Sequence, residues 1–108
     1  MLGDVRELSE AELEALVEEA TVDAYGDEEQ LSGFHVMIGD NLAIPFTTTI
    51  LGVEVTVKAV ELTASGIVAI CVRGKYRQAI PILDLPLPEP PPRGWEWIAA
   101  YQHWALLR

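Results

Sequence analysis

At Pro45 the sequence changes its period, and the two sides of that proline cannot fold alike. Before it, Leu31, Phe34, Ile38 and Leu42 recur at spacings of 3, 4 and 4, the apolar stripe of an amphipathic helix. Proline has no N–H to donate and its ring crowds the preceding turn, so the helix must end ahead of it. After it come FTTTI, VEVTVKAVEL, IVAICV and YRQAIPIL, rich in β-branched residues and separated by Leu51-Gly52, Ala64-Ser65-Gly66 and Gly74-Lys75. Four short strands joined by tight turns predict an antiparallel meander, with Val53, Val55, Val57 and Ala59 on one face. So small a sheet has to curl onto itself or be covered, because a bare edge pairs with other chains. The expectation is an α+β fold with a small SH3-like or Sm-like β-barrel.

Upstream of the stripe, Ser9 followed by Glu12 is a capping-box signature, and Leu13, Leu16, Val17, Ala20 and Ala24 follow at helical spacing. This predicts a first helix from Glu10 to Ala24. Gly26 interrupts, Asp27 can cap, and a second helix runs to a stop before Pro45. Gly33 and Gly39 each weaken that helix by about 1 kcal/mol relative to alanine, so it depends on packing. A short connection between helices makes antiparallel neighbours, hence a helical hairpin.

Downstream, Pro86, Pro88, Pro90, Pro91 and Pro92 force an extended, polyproline-like spacer. A role as an SH3 ligand is less favoured, because packed sequence follows at once. In GWEWIAAYQHWALLR, Trp97, Ile98, Tyr101, Trp104 and Ala105 form one stripe, the core face of a terminal helix. Half of the residues are apolar, enough for one modest core. The predicted organisation is one domain over 1–108: an acidic helical hairpin at 1–44, the meander or barrel at 45–84, the spacer at 85–94 and the C-terminal helix at 95–108.

Charge is divided along the same boundary. Residues 1–40 hold 12 acids and one base, Arg6, so 1 − 12 = −11, against a total of −10. Nucleic acids and anionic membranes bind through Lys and Arg, so neither is an expected partner. Cations or basic proteins suit an acidic module better. MLGDVRELSE has no basic region followed by an apolar one, and no apolar stretch nears the roughly 18 residues of a membrane span, so the expected location is cytoplasmic.

The sequence offers little for catalysis. Cys71 lies in the apolar run IVAICV and reads as a buried thiol. His35 beside Phe34 and His103 between Gln102 and Trp104 read as packing or surface histidines. One cysteine and two separated histidines give no zinc signature, and no nucleophile elbow or phosphate-binding glycine loop appears. The column Glu10, Glu14, Glu18 reads as a solvated face. No enzyme is expected. Carboxylates remain, and Ca²⁺ takes six to eight oxygens from such groups. VDAYGDEEQ and GDNL supply them at Asp23, Asp27, Glu28, Asp40 and the Asn41 amide. An EF-hand is excluded, since counting from Asp23 puts Tyr25 third and Glu28 sixth, where glycine is required. Asp40 is out of place at a helix C-terminus, where the unpaired carbonyls are negative, and well placed if the helix ends on a cation.

The segments VDAYGDEEQLSGFHVMIGDNLAIPF, RQAIPILDLPLP and EWIAAYQHW together resemble the small cyanobacterial-type calcium-binding protein family over roughly residues 20–108. The resemblance implies a bacterial, non-enzymatic Ca²⁺ buffer or sensor with a small β-barrel and a Trp-rich tail. Asp40 is the first expected ligand, with Asp23, Asp27 and Glu28 next and backbone carbonyls near Asn41 and Leu42 contributing. The competing expectation is a metal-free adaptor whose acidic helices and barrel hold a basic protein. Its one basic cluster is Arg73, Lys75 and Arg77, at a turn.

Overall fold

The computed structural model describes residues 8–107, so Asp4, Arg6, Glu7 and Arg108 lie outside the described residues. Helix α1 spans Glu10–Ala20, with the capping box in place: the Glu12 N–H donates to Ser9 Oγ at 3.1 Å, and the Ser9 N–H to Glu12 Oε1 at 2.8 Å. It stops four residues short of the predicted end. The Thr21 hydroxyl and N–H both donate to the Val17 carbonyl, and Asp23 adopts φ 61°, which no helix accommodates. Helix α2 covers Asp27–Asn41 with Gly26, not Asp27, as its N-cap. Phe34, Ile38 and Leu42 are buried along the predicted stripe.

The strands are β1 Phe46–Ile50, β2 Val53–Thr63, β3 Gly66–Arg73 and β4 Tyr76–Pro81, antiparallel in the order β1-β2-β3-β4. The predicted meander is present, though Ile82–Asp84 turn into a short 3-10 helix where the fourth strand was expected to continue. Among the described residues β1 and β4 remain the two edges, so the sheet is not closed. A bulge at Lys58 also changes a face. Val57 pairs with Cys71, but Ala59 pairs with Ile70 and Val60 with Ala69. One extra residue in a period-2 strand turns everything beyond it over. Ala59 therefore leaves the face it was expected to share with Val57, and Val60 takes its place there, partly buried against the core.

Helix α3, Trp95–Leu106, buries Trp97, Ile98, Ala100 and Tyr101. It packs on both earlier helices, and α1 leans more on α3 than on α2, so the expected two-helix hairpin is a three-helix layer. Phe34 holds that layer together, with its ring centroid 5.6 Å from Tyr101 and 5.3 Å from Trp104. The proline-rich segment is not a free tether. Leu85 is buried, and the Pro86 carbonyl accepts a 2.6 Å bond from the buried hydroxyl of Thr48 on the β1 edge. No helix among the described residues is long and apolar enough to cross a membrane.

Gly33 gains its meaning from this packing. A Cβ there would collide with the Ala20 carbonyl at the end of α1. On propensity alone Gly33→Ala should stabilise α2 by about 1 kcal/mol. Overpacking against a carbonyl that belongs to a helix end costs about 1–3 kcal/mol, and more where the backbone cannot yield. The expected result is net destabilisation by about 2 kcal/mol in a urea titration, and a more stable variant would show that α1 and α2 are not in this contact.

Candidate metal centre

The connection from α1 to α2 is built by side chains that hold their own backbone. Asp23 takes the left-handed conformation that Asp tolerates better than most residues. The Tyr25 N–H donates to Glu29 Oε1 at 2.8 Å, and Gln30 Nε2 reaches the Ala24 carbonyl at 3.4 Å. The result is a shallow concavity bordered by Asp23, Glu28, Glu29 and Ser32 and floored near Gly33. Asp23 and Glu28, both expected as ligands, do share this hollow. Asp27 is exposed at the first position of α2.

Asp40 is elsewhere. It is exposed in the last turn of α2, thirteen residues beyond Asp27, and at 1.5 Å per residue that separation is about 20 Å. One ion cannot touch both groups, so the expected ligand set is two sets. The second is thin. Asn41 Nδ2 donates back to the Met37 carbonyl at 2.8 Å, its own carbonyl packs against Gly94, and Leu42 is buried. The Ala43 N–H donates to the Arg93 carbonyl at 2.8 Å. The main chain from Asn41 to Ala43 is therefore the seat for the start of α3.

The side chains that do converge are others. Among the described residues, Glu10, Glu14 and His103 are the one trio of His, Cys, Asp or Glu whose donor atoms all lie within 4.8 Å of one another. Glu10 and Glu14, one turn apart on α1, present two exposed carboxylates on the same side. His103 comes from α3, whose rotation is fixed by Trp104: its Nε1 donates to Gln30 Oε1 at 2.8 Å and its ring stacks on Tyr101 at 6.0 Å. Glu14, Glu18, His103 and Trp104 line one groove, in which Ala11 and Ala15 leave room beside the imidazole. His103 Nε2 is buried without a hydrogen-bond partner among the described residues, a state that ordinarily costs about 1–3 kcal/mol.

The carboxylate pair was visible in the sequence as part of a like-charge column, and His103 as a packing or surface histidine between Gln102 and Trp104. Nothing local joined them. The remaining nitrogen and sulfur groups serve the fold: His35 Nε2 lies 3.4 Å from the Val60 carbonyl, and burial pushes the Cys71 thiol up, away from the thiolate form that binds metals. The basic cluster is partly engaged too, with Arg73 donating to the Glu54 carbonyl at 2.9 Å and Arg77 3.8 Å from Glu61. Comparison with family models, with curated proteins and with solved structures returns no match, so no residue role in this centre is borrowed from a relative.

Proposed function

We propose that this protein binds Ca²⁺ reversibly, as a buffer or sensor without catalytic activity, at the acidic hollow between α1 and α2. The observation that carries the reading is electrostatic. From Leu8 to Val57 there is no Lys or Arg, and Asp23, Glu28 and Glu29 border one hollow in the middle of that stretch. Two bidentate carboxylates supply up to four oxygens, and turn carbonyls and water complete the six to eight that Ca²⁺ takes. Asp40 is at most a separate, weaker locus. In this reading the bulged meander is the SH3-like or Sm-like module, the family resemblance is to the calcium-binding proteins named above, and the protein acts in the cytoplasm.

Calorimetric titration of chelator-treated protein tests the reading, with Mg²⁺ as control. Ca²⁺ at a hundred times Kd should stabilise the fold by about 2.7 kcal/mol, and Mg²⁺ by less, since it gives up water reluctantly. Asp23→Asn with Glu28→Gln should abolish that response, and Asp40→Asn should leave most of it. Unchanged melting in millimolar Ca²⁺ would refute the proposal and favour an adaptor. One observation supports an interaction role: Leu51, Val53 and Tyr76 are exposed around an open groove of the sheet.

A further inference from the structure

We propose that Glu10, Glu14 and His103 form a second, chemically different cation site, one for a borderline divalent metal of the Zn²⁺ type. It is independent of the Ca²⁺ reading and uses none of the same residues. Three facts point to it together. The donor set is mixed, two carboxylates from α1 and one imidazole from α3, with every donor atom within 4.8 Å of the others. A buried ring nitrogen of His103 has no hydrogen-bond partner among the described residues. The groove beside it is open at Ala11 and Ala15 and flanked by a third carboxylate, Glu18.

The ligand chemistry selects the metal. Imidazole suits Zn²⁺, Ni²⁺ and Cu²⁺, whereas Ca²⁺ and Mg²⁺ favour oxygen-only shells. One imidazole and two carboxylates make three ligands for a tetrahedral ion, with the fourth position left to water. At Zn–N and Zn–O distances near 2.0–2.1 Å, neighbouring tetrahedral donors stand about 3.3 Å apart. Donor atoms within 4.8 Å of one another come to that spacing by rotation of the two exposed glutamates, without disturbing α3. The ion would also bridge α1 to α3 across the packed layer.

The chain has only two imidazoles, His35 and His103, which makes the test direct. Zn²⁺ is titrated into metal-stripped full-length protein while the ring nitrogens are followed by NMR, with Ca²⁺ held at millimolar concentration. The expected result is a saturable shift of the His103 nitrogens with those of His35 unmoved. Glu10→Gln and Glu14→Gln should each lower Zn²⁺ affinity at least tenfold, and His103→Gln should abolish the response. Both glutamates are exposed, so their variants remain informative even if His103→Gln folds poorly. A response at His35 instead, or unchanged Zn²⁺ affinity in both glutamate variants, overturns the site. Ca²⁺ calorimetry on those same glutamate variants should match the unmodified chain, so failure here and failure of the Ca²⁺ reading are told apart.

Discussion

Gly94→Ala should lower the thermal midpoint by roughly 10–30 °C, although it adds a single methyl group. Two independent costs meet at this residue. Its φ is 92°, in the half of backbone space that side chains rarely enter, and a Cβ there would collide with the Asn41 carbonyl and the Leu42 Cα. Left-handed backbone costs an ordinary residue about 1–2 kcal/mol, and forcing a group into packed space about 1–3 kcal/mol. Together they approach about 2–5 kcal/mol, a large part of the 5–15 kcal/mol that holds a typical domain. At about 4–8 °C per kcal/mol for a chain of this size, the shift is easily measured by circular dichroism. Relief by local movement is blocked because Gly94 is the N-cap of α3 and Arg93, next to it, accepts the Ala43 N–H. A variant melting within 3 °C of the parent would mean that α3 does not begin against the end of α2.

This junction shows what local sequence reveals and what it leaves out. The elements were legible because their signals are local. Ser9 and Glu12 cap α1, Pro45 marks where helix gives way to strand, and turn residues separate strands whose alternation stands in the sequence. Events between elements were not legible. The bulge at Lys58 leaves a β-branched alternation intact on paper while exchanging the faces on which Ala59 and Val60 stand. The early end of α1 arises from Thr21 turning its hydroxyl onto the helix it follows. Gly33 and Gly94 look like weaknesses until their neighbours, Ala20 and Asn41, are known.

The candidate site divides in the same way. That Asp40 and Asp27 cannot share an ion follows from the length of the predicted second helix, since thirteen residues rise about 20 Å in any α-helix. Glu10, Glu14 and His103 are the opposite case. They stand some ninety positions apart in the chain, and only the docking of α3 onto α1 makes them neighbours. A histidine beside an aromatic stripe is ordinarily a packing or surface residue. Here a donor atom of His103 lies within 4.8 Å of the carboxylates of another helix.

Phe34→Ala should be the most damaging large-to-small change in the core, and its consequence should reach that site. Phe34 is fully buried and makes ring contacts with both Tyr101 and Trp104. Truncating a buried phenylalanine costs about 3–5 kcal/mol, and paired rings add about 0.5–1.5 kcal/mol beyond the area they cover. The loss should appear as a lowered urea midpoint with little change in slope. Phe34→Leu keeps most of the volume but not the ring pairing, so it should lose less than half as much. Because Trp104 orients the residue before it, a loosened α3 should also place His103 less well against Glu10 and Glu14. At temperatures where Phe34→Leu remains folded, its Zn²⁺ affinity should therefore fall several-fold although no ligand has changed. Equal Zn²⁺ affinity in Phe34→Leu and the unmodified chain would mean that the aromatic cluster does not set the position of His103.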